Sequence, residues 1–166
     1  MSKHDTLIGR EFAEKSLEIR GKISPLELGR VADSLSPEGG ELQYILTGEP
    51  GQQRNPELLL HVQGWLGLLC QRCLGPIRFT LDTQVRFSLV ASEAEIPPIE
   101  LERDDVDYLV VGSGVDLMAL IEDEVLLSLP LSPSHDEGQC TDDARGTHEQ
   151  KESPFKVLQG LKVVKS

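Results

Sequence analysis

Two segments with a two-residue period constrain this chain more than any other feature. In residues 58–69, Leu58, Leu60, Val62, Gly64, Leu66 and Leu68 fall on one face. Leu59, His61, Gln63, Trp65, Gly67 and Leu69 fall on the other. In residues 77–89, Ile77, Phe79, Leu81, Val85, Phe87 and Leu89 alternate with Arg78, Thr80, Asp82, Gln84, Arg86 and Ser88, and Thr83 is the one interruption. Side chains two residues apart share a face of a strand, so both segments predict strands. The first is apolar on both sides for part of its length, as an interior strand is. The second is a half-buried antiparallel strand. Cys70-Gln-Arg-Cys-Leu-Gly-Pro76 joins them, so a long β-hairpin carries a Cys-x-x-Cys at its tip.

The flanking segments predict the rest of an α+β fold. Residues 16–23 form a weaker strand. Ser24, Pro25 and Glu27 have the spacing of an N-cap, a first helical residue and a capping box, which predicts a helix over about 24–35. Pro37 and the Gly39-Gly40 pair stop it. Residues 41–48 predict a strand through Leu42, Tyr44 and Leu46, and residues 50–56 a polar turn. Residues 91–107 are acidic, contain Pro97-Pro98 and predict a loop before a short strand at 108–111. A second helix over 115–129 places Leu117, Met118, Ile121 and Val125 on one face, with Asp116 as cap and Pro130 as stop. The expected architecture is an antiparallel sheet around the central hairpin, covered by two or three helices. A chain of 166 residues suits one domain. It is expected over 1–135 with its core at 16–130. Residues 136–166 are expected to be a mostly flexible acidic linker ending in a short amphipathic segment from Phe155 to Leu161.

Charge narrows the function. The chain has 28 acidic and 16 basic residues, a net charge of −12. Residues 92–124 hold eleven acids against Arg103 alone. The basic excess is small: Arg54, Arg72, Arg78 and Arg86 in one stretch, and Lys156, Lys162 and Lys165 near the end. Binding nucleic acid by neutralising phosphates needs that basic charge to be segregated. The acidic block is either a solvated surface or a face for a basic partner. No run of about 18 apolar residues spans a membrane. The N-terminus has no apolar stretch of an export signal, so the expected location is cytoplasmic, with thiols free or metal-bound.

Cys70-x-x-Cys73 has three readings. Two thiolates in a tight turn form half of a tetrahedral zinc site, and His135 and Cys140 complete a Cys3His set. Redox exchange is the second, although such pairs normally begin a helix and here strands flank the pair. The third is a structural turn with two small buried thiols. His61 beside Trp65 reads as a packed histidine. Glu122, Asp123 and Glu124 are consecutive on a helix, point in different directions and cannot converge on one ion. No phosphate loop, nucleophile elbow or nucleophile–base constellation occurs, which argues against an enzyme.

Four segments carry a resemblance. They are Leu69-Cys-Gln-Arg-Cys-Leu-Gly-Pro76, Val115-Asp-Leu-Met-Ala-Leu-Ile-Glu-Asp-Glu-Val-Leu-Leu-Ser-Leu-Pro130, Pro133-Ser-His-Asp136 with Cys140, and Ser153-Pro-Phe-Lys-Val-Leu-Gln-Gly-Leu-Lys162. In this order, from about Ser16 to Lys162, the chain resembles the YceD family of bacterial large ribosomal RNA subunit accumulation proteins. The resemblance implies a non-enzymatic cytoplasmic role in synthesis, processing or stability of 23S ribosomal RNA. Some members carry cysteines where this chain has His135. Two contact modes fit. One is direct contact with ribosomal RNA through Arg72, Arg78 and Arg86. The other is an adaptor whose acids, including Glu122, Asp123 and Glu124, hold a basic ribosomal or RNA-processing protein. Seven aromatics supply few stacking platforms for RNA, which favours the adaptor. The rivals are a small zinc-binding protein-interaction module and a thiol or metal enzyme, which needs a cleft of converging polar groups.

Overall fold

The computed structural model describes residues 7–51, 55–101, 103–112 and 114–140. In chain order the elements are β1 (Leu7–Ile8), α1 (Arg10–Glu14), β2 (Glu18–Ile23), α2 (Gly29–Ala32), β3 (Leu35–Glu49), β4 (Glu57–Leu69), β5 (Pro76–Val90), β6 (Asp107–Val110), β7 (Val115–Asp116) and α3 (Leu117–Ser128). Five of the strands form one sheet in the order β2-β3-β4-β5-β6. β2 to β5 are antiparallel. The β4–β5 hairpin runs in continuous register from Glu57↔Ser88 to Leu69↔Pro76.

The period-2 pattern sets which face is covered. Leu58, Leu60, Val62, Leu66 and Leu68 of β4 are buried, as are Leu42 and Leu46 of β3 and Leu81, Phe87 and Leu89 of β5. α3 lies over this face with Leu117, Leu120, Ile121 and Val125, beside Leu28 and Val31. Fully burying one such leucine contributes roughly 1.5–3 kcal/mol. The opposite face of β4 is half-buried at Leu59, His61 and Trp65 and exposed at Gln63. That one-sided cover is ordinary for an antiparallel sheet. α3 begins as its sequence dictates: the Asp116 carboxylate accepts from the Met118 and Ala119 amides at 2.9 and 3.5 Å.

The expected helix over 24–35 does not form. Pro25–Glu27 is a single 3-10 turn, and the Ser24 side chain caps nothing. Leu28 is extended (φ −86°, ψ 99°), which breaks the helix before the four-residue α2. Leu28 and Val31 are 2% and 0% exposed, so tertiary burial of these two overrides the local capping signal. β3 then starts at Leu35 and runs through Pro37, Gly39 and Gly40, which the sequence reads as a helix stop. The register with β4 slips between Leu35 and Gly40, the mark of a bulge. Two glycines permit the close approach there. A Cβ on Gly40 (φ +154°) would lie 2.3 Å from the Trp65 carbonyl oxygen. One on Gly64 (φ +150°) would lie 2.1 Å from that of Glu41.

Two further elements depart from the expected plan. β6 runs parallel to β5, from Phe87↔Asp107 to Val90↔Val110. Residues 91–106 provide the long crossing a parallel pair requires, with 3-10 turns at Glu93–Glu95 and Ile99–Leu101. β1 and α1 precede the expected core, yet Ile8 and Ala13 are buried in it and β1 pairs with β7. Among the described residues no helix is long and apolar enough to cross a membrane. The acidic linker over 141–153, the amphipathic segment over 155–161, Arg54, Glu102, Lys156, Lys162 and Lys165 lie outside the described residues.

Candidate metal centre

The tip of the hairpin is a tight knuckle. The Cys70 amide donates to the Gly75 carbonyl at 2.8 Å, and the Leu74 amide donates to the Cys70 carbonyl at 2.8 Å. Leu74 sits at φ 59°, a left-handed turn position that a leucine seldom takes. After α3 the chain returns to this tip. The Gln71 amide donates to the Pro133 carbonyl at 2.8 Å. The Arg72 guanidinium donates to the His135 carbonyl and, at 3.3 Å, to that of Asp136. Residues 133–136 are therefore strapped to the knuckle by their backbone carbonyls, which accept from the Gln71 amide and the Arg72 guanidinium.

The strap delivers two more soft ligands. Cys70, Cys73, His135 and Cys140 present ligand atoms that all lie within 4.8 Å of one another. Cys70 Sγ is 3.8 Å from Cys140 Sγ. His135 Nδ1 is 3.4 Å from Cys73 Sγ and 3.9 Å from Cys140 Sγ. Tetrahedral zinc, with Zn–S of about 2.3 Å and Zn–N of about 2.0–2.1 Å, has S···S edges of about 3.8 Å and S···N edges of about 3.5 Å. The three distances above are of that size, and the remaining ligand atoms lie within 4.8 Å of one another, so the cluster could hold a metal ion such as zinc.

Surrounding groups orient the ligands. His135 Nε2 lies 3.1 Å from the Pro76 carbonyl, which can only accept. The ring proton therefore sits on Nε2, and Nδ1 turns its lone pair toward the thiols. The Arg72 amide points at Cys70 Sγ from 3.4 Å. Cys70 and Cys73 are buried, and Cys140 is half-buried. Burial pushes the Cys70 thiol up, but backbone donors at Cys73, His135 and Arg72 outweigh it and bring it down to about 5. Burial and hydrogen bonds with Cys73 and Cys70 push Cys140 up to about 11. These donors favour the thiolate form of Cys70 over its thiol. The Pro76 and Pro133 carbonyls that complete this arrangement have no signature in a sequence.

The residues of the two contact modes belong to two elements: Arg72, Arg78 and Arg86 to the β4–β5 hairpin, and Glu122, Asp123 and Glu124 to α3. Arg72 is engaged by the strap. Arg78 stacks on Trp65, with its guanidinium carbon 4.2 Å from the ring centre. Arg86 pairs with Glu49 and, at 3.1 Å, with Glu57. Across the sheet, Glu122 and Asp123 hold Arg30 at 2.8 and 2.6 Å, and Glu124 accepts from the Thr83 hydroxyl. Alternation in a half-buried strand places Arg86 on a solvated face, and its ion pairs with Glu49 and Glu57 correct that expectation. Glu57 is 2% exposed and is held by Arg86 and by Arg103 at 3.0 Å. Alternation along β5 shows that Arg86 leaves the leucine face. It says nothing about the loop that covers the Glu57 end of the other face.

The family described as large ribosomal RNA subunit accumulation protein YceD matches residues 58–162. A Haemophilus influenzae protein bearing that description is 28% identical over 158 residues, which cover 90% of each chain. No solved structure matches the chain.

Proposed function

Because the chain belongs to the YceD family of large ribosomal RNA subunit accumulation proteins, we propose that it is a non-enzymatic, zinc-clamped adaptor that holds a basic ribosomal or RNA-processing protein. Its charge layout carries this reading. Among the described residues, every lysine and arginine except Arg72 and Arg78 has a carboxylate within ion-pair distance. Arg72 is spent on carbonyls and Arg78 on Trp65. By contrast, Glu93, Glu100, Asp104 and Asp107 are exposed and have no ion-pair partner among the described residues. A phosphate backbone would find few uncommitted cations, whereas a lysine- or arginine-rich protein would find uncommitted carboxylates. Matched fields of this kind steer association more than they add affinity.

Zinc in this reading is structural. Four protein ligands close the coordination sphere and leave no open position for a substrate. The ion fastens the strap that follows α3 to the tip of the hairpin.

Affinity capture from cells at two salt concentrations, with and without ribonuclease, tests the adaptor. Protein partners that survive nuclease, and are lost when Glu100 and Asp104 are reversed to Lys, support it. Sucrose-gradient profiles of the same variant should show depleted large-subunit particles. A second reading, direct contact with ribosomal RNA, draws on the Trp65–Arg78 stack on the open sheet face, since aromatic and guanidinium planes stack on bases. Partners that vanish with nuclease, together with loss of binding in Arg78→Glu, would favour it and overturn the adaptor.

A further inference from the structure

The crossing between β5 and β6 and the sheet beneath it enclose a cavity of about 190 Å³. One row of the sheet forms its floor: Glu57 of β4 is in register with Ser88 of β5, and Ser88 with Tyr108 of β6. Neighbouring strands lie about 4.8 Å apart, so the row is about 10 Å wide. Glu95, Pro97 and Arg103 of the crossing complete the lining. Glu57 and Ser88 are 2% and 7% exposed. Two of the charged groups are committed to neighbours. Both Glu57 oxygens accept, one from Arg86 and one from Arg103. All three Arg103 nitrogens donate to Glu57 or Asp105. Other polar groups are not committed. Glu95 spends one carboxylate oxygen on the Ala91 amide and keeps the other. The Ser88 and Tyr108 hydroxyls bond to no described residue. Among the described residues only the Ser36 hydroxyl is sealed in without a partner, so that of Ser88 opens on the cavity it lines.

We propose that this cavity is an anchor site for one lysine or arginine side chain of a basic protein. The proposal rests on the adaptor reading and names where the partner is gripped. Three observations select a cationic side chain. The first is charge. Two acids and one base line the cavity, and the base is committed, so an anion would meet Glu57 and Glu95 without a free cation. The second is hydrogen bonding. The Ser88 and Tyr108 hydroxyls and the remaining Glu95 oxygen can all accept, while an ammonium or guanidinium carries donors alone. The third is size. Pockets for small-molecule ligands run to about 300–1,000 Å³, so this one suits a single side chain and is too small for a nucleotide. Its position agrees. The crossing that supplies Glu95 and Arg103 also carries the exposed Glu93, Glu100 and Asp104. Exposed charges steer an approaching partner, whereas a few side chains buried in pockets hold it. One segment thus provides both the field and the grip.

Amide NMR of the full chain, titrated with n-butylammonium and n-propylguanidinium, tests the site with the two side chains freed of their backbone. At least one of them should shift the Ser88, Glu95 and Tyr108 amides saturably. The double variant Glu95→Gln/Tyr108→Phe should weaken that binding at least about tenfold. It keeps the fold, because Gln retains an oxygen for the Ala91 amide and the Tyr108 hydroxyl bonds to nothing described. Absence of saturable binding by either cation would mean that the cavity holds solvent only, and would overturn the proposal. Equally strong binding of butyrate or n-butanol would also overturn it, as would cation shifts confined to Glu93, Glu100 and Asp104. In affinity capture the double variant should lose the nuclease-resistant partner that the unaltered chain retains. Undiminished capture by the variant would overturn the anchor and leave the adaptor standing. Capture of no such partner by the unaltered chain, with saturable cation binding at Ser88 and Tyr108, would refute the adaptor and leave the cavity a site for a basic side chain.

Discussion

Arg86 and Phe87 are neighbours in β5 that leave the sheet on opposite sides, and Arg86→Ala is the more informative perturbation. Its guanidinium is 3.1 Å from one carboxylate oxygen of Glu57, and Arg103 is 3.0 Å from the other. The Glu57 side chain is 3% exposed and that of Arg86 29%. Removing one partner from a buried pair costs about 3–5 kcal/mol. A single hydrogen bond to a charged group contributes about 1.5–3 kcal/mol. Arg103 remains in place and solvent screens part of the Arg86 charge, so the lower range applies and the expected loss is about 2 kcal/mol. At a typical m of about 2 kcal/mol/M, the urea midpoint should fall by about 1 M. The same substitution in a Glu57→Gln background should cost less, with a coupling of about 1–2 kcal/mol. A loss under about 0.5 kcal/mol, or strict additivity, would refute the network and return Arg86 to the pool of side chains free to meet a partner.

Phe87→Ala, on the leucine face and 8% exposed, should destabilise by about 3–5 kcal/mol in the same denaturation assay. Wild-type protein should retain one zinc ion per chain by elemental analysis, and Cys73→Ser or His135→Ala should retain none. Retention should also weaken as pH falls, because protons compete for the thiolates. Burial pushes the Glu122 carboxyl up, but the Arg30 guanidinium and amide outweigh it and hold it below the usual carboxylate range. The stability this adds is present above about pH 4.3 and is lost as pH falls through the lowered value. Glu122→Gln should therefore melt earlier than wild type at pH 7, and the two melting curves should converge in acid.

The parts of this fold written in local pattern were legible. Period-2 alternation marked β4 and β5 and their buried face, and Asp116 with Pro130 bracketed α3. The candidate metal cluster was legible because cysteine and histidine are chemically distinctive at any spacing. What failed was decided by distant contacts. Leu28 and Val31 draw what reads as a capped helix start into the core, where no cap forms, and Gly40 and Gly64 permit a bulge through what reads as a stop. β6 adds a parallel strand whose pairing is set by the crossing, not by its own four residues. The Arg86–Glu57–Arg103 network joins residues far apart in sequence. No alternation rule reports that a loop will close over Glu57.

The pairing of β1 with β7 bears on when this protein finishes folding. Leu7 is in register with Asp116 and Ile8 with Val115, so the first of the described strands has no partner until nearly all the other described strands have been made. The β4–β5 hairpin joins neighbouring segments and can form early, since short loops close fastest. Its two knuckle cysteines then wait for His135 and Cys140. During synthesis the chain passes through a period in which the two knuckle thiols are already paired in space and only half of the candidate metal site exists. Capture of a metal by all four residues would therefore mark the completion of the domain rather than its start.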